Sequence, residues 1–466
     1  MSLLIDSVYF ITAFVFIYGL KQMSSPVTAH GGIVVAGIGM VAATLITLAV
    51  PEIKLGININ LLLMFIAIAV GSIVAYLSAK RVAMTDMPQM IAMYNGMGGG
   101  AAAAIAAVEL VKLSSSGESH GLTFQVLAVL GAVIGAVSFS GSVVAFAKLQ
   151  GLMKRTLRLP LHQLMNVGLF VAVCVTGYWV ATGHPVSSDH LLWFFILSVV
   201  LGVMLTLPIG GADMPVVISL FNALTGLAVA FEGFVLDNAA MIIAGTVVGS
   251  SGTLLTQMMA KAMNRQISSV LFSSFGSAAN AAVEEEIKGS MKEIQAQDAA
   301  IMMAYASKVI IVPGYGMAVA QAQHKLKEMG ALLEERGVEV KYAIHPVAGR
   351  MPGHMNVLLA EAGVDYDQIF DLDEINPEFP NADVALVIGA NDVVNPVARS
   401  NPDSPIYGMP ILAADKARNV IVIKRGQGTG FSGVENHLFY GDNTRMLYGD
   451  GKKAVGELIS GIKQLS

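Results

Sequence analysis

Long apolar runs separated by short polar loops fill the first half of the chain. At about 20 apolar residues per membrane crossing, this pattern predicts nine transmembrane helices. They are expected near residues 3–20, 31–50, 57–77, 88–111, 121–147, 162–182, 190–209, 214–231 and 237–259. We expect the first run to remain as a helix rather than to be a cleaved signal peptide. It begins with an acid, Asp6, instead of a basic segment, and no small-residue cleavage site follows.

The second half of the chain changes to short β-branched runs that alternate with helical periods. Strands are predicted at 308–312, 338–344, 367–372, 384–389, 410–413, 419–424 and 445–448, and helices at 317–336, 353–362 and 451–464. Such alternation is typical of a doubly wound parallel sheet. The predicted fold is therefore a polytopic α-helical membrane domain followed by an α/β, Rossmann-like nucleotide-binding domain.

Composition supports this division. The chain of 466 residues has a mean hydropathy of +0.65 and only 13% charged residues, which is too apolar for an ordinary soluble protein. Residues 1–265 carry 11 Lys/Arg and 9 Asp/Glu, whereas residues 266–466 carry 17 and 24. We expect a membrane domain at 1–262, a linker rich in Ser, Ala and Glu at 263–300, and a nucleotide-binding domain at 301–466.

The charge pattern indicates which partners to expect and how the chain is oriented in the membrane. With a net charge of −5 and no basic stripe, nucleic acid is not an expected partner. The basic residues on one side of the membrane are Lys21, Lys80, Arg81, Lys148, Lys154, Arg155, Arg158, Lys261 and Arg265, and those on the other are Lys54 and Lys112. The positive-inside rule places the first set in the cytoplasm, so the amino terminus is expected outside and the soluble domain inside.

An internal repeat lies in the membrane half. The repeated residues are Asp86, Met87, Pro88, Ile91, Asn95, Gly99, Ala101 and Ala103, which recur as Asp213, Met214, Pro215, Ile218, Asn222, Gly226, Ala228 and Ala230. Two interpretations stay open for the aspartates, which either cap a helix start or take part in function. The mid-helix asparagines either join helices or face a wet cavity.

A glycine turn follows the first strand of the second half. The run 309–312 leads into Gly314-Tyr315-Gly316, a pattern that lets the backbone approach a pyrophosphate at a helix start. The turn alone does not establish nucleotide binding, because Val319 stands where this pattern usually has a third small residue. Further polar or glycine-rich turns follow other strands at 345–353, 389–392, 424–426 and 449–450, where ligand groups belong in such a sheet.

The second strand and a later basic pair bear on which nucleotide binds. The second strand ends at His345 rather than at an acid that would hold a free ribose 2′-hydroxyl. Lys424 and Arg425 are suited to a 2′-phosphate, which favours NADP(H), although a solvated basic pair remains the alternative.

Several of these segments together resemble a known family. Residues 313–323, 349–362, 389–392 and 210–215 resemble the β subunit of proton-translocating NAD(P) transhydrogenase, and the likeness covers essentially the whole chain. It implies hydride transfer between NAD(H) and NADP(H) coupled to proton movement across a bacterial inner membrane. A separate α subunit would supply the NAD(H) domain and further helices, in a dimer of αβ pairs.

The resemblance also implies site residues. NADP(H) would be enclosed by Gly314, Tyr315, Gly316, Val347, Ala348, Gly349, Arg350, Met351, Pro352, Gly389, Ala390, Asn391, Asp392, Val393, Gly408, Met409, Lys424, Arg425, Gly426, Gln427, Gly428, Thr429, Gly430, Phe431, Asp450 and Gly451. Asp392 would link the state of the nucleotide to the membrane. Phe431 and Gly426 depart from the tyrosine and serine of many members, and Asn95 stands where some members have a channel histidine.

The membrane half offers few titrating groups for a proton path. Glu109, Glu232 and all its histidines are expected in loops or at span ends, whereas Asn95, Asn222 and Ser142 fall at mid-membrane depth. Because amides do not titrate near neutral pH, we expect these three to flank the path and the partner to supply the titrating residue. Asp213 is a further candidate for coupling protonation to nucleotide affinity. A nucleotide-regulated transporter and a non-pumping membrane oxidoreductase remain alternative functions.

Overall fold

The computed structural model describes residues 2–48, 59–116, 121–153, 161–182, 188–210, 213–272, 289–426, 428, 430 and 432–465. The chain divides into two compact units. The first comprises Met1–Pro208 and Ile218–Thr256, and the second comprises Ile209–Val217 and Gln257–Ser466.

Helices occupy all nine positions at which the apolar runs predicted them. They are α1 (Ser2–Met23), α2 (Pro26–Thr47), α3 (Ile59–Arg81), α4 (Met87–Ser116), α5 (Leu122–Leu149), α6 (His162–Thr182), α7 (Ser188–Thr206), α8 (Met214–Val235) and α9 (Ala239–Ala262). Among the described residues, eight of the nine are long and apolar enough to cross a membrane, and α1 contributes a shorter apolar stretch at Ser7–Met23. The prediction of a polytopic membrane domain is confirmed.

Small residues allow the inner helices to approach closely. A Cβ added at Gly135 of α5 would lie 2.7 Å from the carbonyl oxygen of Gly99 in α4 and 2.9 Å from the amide nitrogen of Ala103. Such backbone contact needs residues without side chains at the crossing. The outward faces keep large apolar side chains exposed, and α3 has no buried residue, as expected for a surface in contact with lipid.

A six-stranded parallel sheet forms the core of the second unit. Its strands are β1 (Lys308–Pro313), β2 (Glu339–Ile344), β3 (Ile369–Asp371), β4 (Val384–Ile388), β5 (Asn419–Lys424) and β6 (Thr444–Tyr448), in the order β3-β2-β1-β4-β5-β6. Strands β1 and β4 pair in parallel from Val309 with Val384 to Pro313 with Ile388. The chain order reverses between β1 and β4, so the switch point of this doubly wound sheet lies there. The predicted Rossmann-like fold is confirmed.

Helices precede, connect and follow the strands of this unit. They are α10 (Ile267–Phe272), α11 (Ala296–Ala304), α12 (Tyr315–Val319), α13 (Gln323–Glu334), α14 (His354–Glu361), α15 (Leu372–Ile375), α16 (Val397–Ser400) and α17 (Gly451–Gln464). The amphipathic helix α17 buries Val455, Leu458 and Ile462 on its inner face. Ahead of the sheet, residues 292–294 run beside β6, where the amide of Ile294 donates to the carbonyl of Met446 at 3.0 Å.

Two local predictions were wrong. Residues 410–413 do not form a strand, because β4 pairs directly with β5 and the backbone of this segment bonds instead to His345, Asn376 and Val393. The helix predicted at 317–336 is divided into α12 and α13. Gln321 between them has a φ of +50°, which a continuous helix does not permit.

Candidate functional site

Two glycine turns meet where β1 and β4 end. The amide of Gly314 donates to the carbonyl of Ile388, and that of Gly316 to the carbonyl of Gly389, both at 2.9 Å. A Cβ at Gly316 would lie 2.6 Å from the Cα of Gly389, and Gly389 itself has a φ of +69°. Close approach and a left-handed turn both require glycine here. The β1 and β4 turns therefore pack backbone to backbone at the start of α12, at the sheet edge where ligands of such folds bind.

The loop after β2 lies beside these two turns. The guanidinium carbon of Arg350 lies 4.4 Å from the centre of the Tyr315 ring. The amide of Arg350 donates to Nδ1 of His354 at 3.1 Å. Burial, with a smaller effect from Arg350, lowers the pKa of His354 to about 4, so its ring is neutral. These contacts bring the predicted residues 347–352 beside the predicted glycine turn.

His345 fixes the start of the same loop. Its buried ring accepts a hydrogen bond at Nδ1 from the amide of Val347 at 3.2 Å, so the proton lies on Nε2, which donates to the carbonyl of Pro410 at 2.7 Å. Burial lowers the pKa of His345 to about 4, and the bond to Pro410 opposes this shift in part. A neutral histidine therefore ties the β2 loop to the segment that follows Gly408 and Met409.

The predicted basic pair lies at the end of β5. The ammonium of Lys424 sits 4.3 Å from the centre of the Phe439 ring and donates to the carbonyl of Gly428. Partial burial lowers the pKa of Lys424. Arg425 is exposed. Three residues assigned to the same loop, Gln427, Thr429 and Phe431, lie outside the described part of the chain.

Asp392 holds the chain that follows this basic loop. Its carboxylate accepts from the hydroxyl of Ser432 at 2.7 Å and from the amide of Ser432 at 3.1 Å. Next to it, Asn436 donates to the backbone and side-chain oxygens of Asn391 at 2.9 and 3.0 Å. A Cβ at Gly430 would collide with the Asp392 carboxylate. Asp392 therefore connects the β4 turn to the loop predicted to cover the nucleotide.

The remaining predicted residues lie at two other turns. Asp450 follows β6 and caps α17, accepting from the amides of Lys452 and Lys453 at 3.0 and 3.3 Å, and Gly451 begins that helix. Gly408 has a φ of +75° and packs against the amide group of Asn264. That same amide donates to the carbonyl of Tyr407 at 2.9 Å. Asn264 lies two residues after the end of α9 and belongs to the same unit as Gly408.

Asp213 lies in the same unit, just before α8. It is 1% exposed, and Nε of Arg265 lies 3.9 Å from its Oδ1. Neither carboxylate oxygen has a hydrogen-bond partner among the described residues. The simple capping interpretation of Asp213 is therefore wrong, since a cap accepts from helix amides. Burial raises its pKa to about 6, and the attraction of Arg265 opposes that rise.

Within the membrane unit, polar side chains pair across helices. Nδ2 of Asn95 donates to the hydroxyl of Ser142 at 3.0 Å. One helical turn along α5, the hydroxyl of Ser138 lies 2.5 Å from that of Thr225 and donates to the carbonyl of Phe221 at 2.9 Å. Asn222, half-buried, lies beside Phe221 on α8. Two of the predicted mid-membrane residues, Asn95 and Ser142, are thus brought together.

Glu232 lies in the last turn of α8, as expected for a span end, but it is fully buried. It is 0% exposed within α8, although the apolar pattern placed the end of that span at residue 231. Hydropathy alone ended the span too early because glutamate lowers the average, whereas the helix runs on to Val235.

Sequence reasoning missed several residues that the structure places at these contacts. Arg265, Asn264, Thr225, His354 and Ser432 were not predicted as site residues. Arg265 and Asn264 follow a span end and lie far from Asp213 and Gly408 along the chain. A mid-helix threonine such as Thr225 carried a weak signal, because Ser and Thr are common in packed membrane helices.

Comparison with known proteins was made on the whole chain. A family profile described as "NAD(P) transhydrogenase beta subunit" matches residues 5–461. Two sequences from Rhodospirillum rubrum, both described as "NAD(P) transhydrogenase subunit beta", are each 46% identical over 462 residues. The similarity covers 97% of this chain and 97% of each relative.

Proposed function

This chain belongs to the family of NAD(P) transhydrogenase β subunits, and from that premise we propose that it binds NADP(H) and couples hydride transfer to proton translocation. It is a membrane subunit of a transhydrogenase. The second nucleotide, NAD(H), would be held by an α subunit that also contributes further helices. Two such αβ pairs would form the complex in a bacterial inner membrane, with the amino terminus outside and the nucleotide domain in the cytoplasm.

The observation that carries the proposal is the edge of the sheet at the β1/β4 switch point. Gly314, Gly316 and Gly389 leave bare backbone there, and any added Cβ would strike the opposite turn. This stretch of glycine backbone would let the pyrophosphate approach the end of β1 closely. Because α12 is short, the Arg350 guanidinium stacked on Tyr315 and the basic pair after β5 would provide most of the positive charge.

NADP(H), when bound, supplies the nicotinamide that accepts or donates the hydride. The chain binds and orients it. Lys424 and Arg425 would pair with the 2′-phosphate, since charge-assisted bonds to phosphate are strong. Asp392 and Ser432 would hold the covering loop closed, so that opening of this pair releases the nucleotide.

Coupling to the membrane would pass through two contacts in the second unit. The Asn264 amide joins the end of α9 to the Gly408 turn. The Asp213 carboxylate, loosely paired with Arg265, can change its protonation near pH 6. Protonation removes the attraction to Arg265, so it would alter the position of the α9 end and, through Asn264, the nucleotide loop.

The test is reconstitution of the chain with its α partner in vesicles that contain a pH-sensitive dye. We expect NADH-driven reduction of NADP to change the internal pH, and an uncoupler to abolish that change. Transfer without any pH change would support a non-pumping oxidoreductase instead. Nucleotide-dependent flux without hydride transfer would indicate a regulated transporter, and either result would overturn the proposal.

A further inference from the structure

Glu232 is a carboxyl group that the proposed coupling route does not use. It lies in α8 with 0% exposure, and neither of its oxygens has a hydrogen-bond partner in the described part of the chain. A buried carboxylate without a partner is strongly disfavoured in an apolar bundle, so the group is stable there as the neutral acid.

The neighbouring helix is built to accommodate this group. Gly131 of α5 faces the carboxyl, and a Cβ added at that position would collide with Oε1 of Glu232. The next residue on α8, Gly233, is equally tight against α9, where an added Cβ would lie 2.6 Å from the amide nitrogen of Ile242. Glu232 is thus enclosed between helices rather than pointing to lipid.

The charged groups around Glu232 do not neutralise it. Glu109 of α4 is its charged neighbour and has the same sign. Glu109 is itself paired with Lys112 at 2.7 Å. The ionisable residues of α5 and α9 are Lys148 and Lys261, each in the last turn of its helix, far from Gly131 and Gly233.

Glu232 also shares a helix face with the polar pairs already described. Ser138 and Gly131 are separated by seven residues on α5, and Thr225 and Glu232 by seven residues on the antiparallel α8. The two contacts, Ser138 with Thr225 and Gly131 with Glu232, are therefore in one register, about 10 Å apart along the helices. On the far side of Ser138, one more turn leads to Ser142 and Asn95.

We propose that Glu232 carries a transported proton at the end of this polar face, with Gly131 making room for the carboxyl group. The inference rests on the proposed proton-pumping function. In the cycle, the carboxylic acid releases its proton to water as the helices open and binds one again as they close. No other bond changes. Glu232 would act in addition to any titrating residue that the partner's helices supply.

The experiment compares Glu232→Gln with Glu109→Gln in the reconstituted complex with its α partner. Glutamine has the shape of the neutral acid but cannot release a proton. Glu232→Gln should lower proton movement by about 100-fold, the range of a lost acid–base group. The variant should still bind NADP(H), because none of the residues expected to enclose the nucleotide is changed. Glu232→Asp should restore part of the proton movement, and Glu109→Gln should keep it.

Infrared difference spectra provide a readout independent of pumping. Exchange of NADP for NADPH in the wild-type complex should change a carboxylic-acid C=O band, and Glu232→Asp should shift that band even if Glu232→Gln fails to assemble. If the wild-type complex and Glu232→Gln pump protons equally well, this inference is overturned while the proposed function stands. A band that does not respond to the nucleotide would also overturn it. A wild-type complex that transfers hydride without moving protons would instead overturn the proposed function.

Discussion

Nε of Arg265 lies 3.9 Å from Oδ1 of Asp213, a separation too long for a hydrogen bond and short enough for strong attraction. The carboxylate is buried at the start of α8, and the guanidinium follows the end of α9. Burial lowers the pKa of Arg265 and raises that of Asp213 to about 6, so desolvation outweighs their mutual attraction. The protonation of Asp213 is therefore sensitive to small changes in the position of Arg265.

The first prediction concerns pH and stability. Because the folded pKa of Asp213 is raised to about 6, the folded chain holds the proton more tightly than the unfolded chain does. Its contribution to stability is therefore present below about pH 4 and is lost as the pH rises to about 6. Asp213→Asn should remove this loss, leaving the variant about 3 kcal/mol more stable than wild type at pH 7. Thermal unfolding of the detergent-solubilised wild-type and variant chains from pH 4 to 8 measures this difference in stability.

Arg265→Gln is the companion variant. Without the guanidinium, the pKa of Asp213 should rise further, and the fall in stability should move to higher pH. Identical pH profiles for wild type and Asp213→Asn would show that Asp213 does not titrate in this range.

The second prediction concerns nucleotide choice. Lys424→Ala should weaken NADP(H) binding by tenfold or more, since a charge-assisted hydrogen bond contributes about 1.5–3 kcal/mol. Binding of NAD(H) should change little, because it has no 2′-phosphate. Fluorescence titration of the full chain in detergent gives both affinities. Arg418→Ala is the control, since Arg418 pairs with Asp383 at 2.7 Å before β5 begins. An unchanged ratio of the two affinities in Lys424→Ala would remove Lys424 from the phosphate site.

Sequence patterns located most of this architecture because their physical causes are local. Apolar runs had to become membrane helices, and the glycine turn after β1 had to allow close backbone approach. The predicted strand at 410–413 was wrong because its backbone groups bond to distant residues such as Asn376 and Val393, which a local pattern does not report. Arg265 and Ser432 are defined by partners 52 and 40 residues away, at Asp213 and Asp392, so only the folded chain reveals them.

The third prediction separates two kinds of glycine. Gly316→Ala should abolish NADP(H) binding, because its Cβ would lie 2.6 Å from the Cα of Gly389. Gly456→Ala should instead stabilise the domain by about 0.5–1 kcal/mol, since Gly456 lies within helix α17 with nothing near its Cβ position. Thermal unfolding and NADP(H) titration distinguish the two. Normal nucleotide binding by Gly316→Ala would mean that this turn does not form part of the nucleotide site.

The fourth prediction concerns Asp392. Asp392→Asn should keep the fold and impair coupled turnover, because an amide is uncharged and accepts a weaker bond from Ser432. Ser432→Ala removes the same hydroxyl bond while leaving the carboxylate. If Asp392 acts only by holding the loop, both variants should have the same effect on proton-coupled rates. If its charge reports the nucleotide state, Asp392→Asn should be the more severe. Normal coupled rates in a well-folded Asp392→Asn would exclude Asp392 from the mechanism.

The last prediction concerns the part of the path that this chain lacks. Asn95 and Ser142 form a polar pair at 3.0 Å, and neither side chain titrates near neutral pH. They can hold water or orient a neighbouring group, so the chain alone should bind NADP(H) but neither transfer hydride nor move protons. Addition of the α partner should restore both activities. Asn95→Leu should then reduce proton-coupled transfer in the complex, because leucine cannot bond to Ser142 and excludes water from the site. The control is Ser250→Ala, in an exposed turn of α9. The measurement is NADH-driven NADP reduction together with dye-reported proton movement. Proton-coupled transfer by this chain purified without a partner would contradict the prediction, and full coupling in Asn95→Leu would remove the Asn95–Ser142 pair from the path.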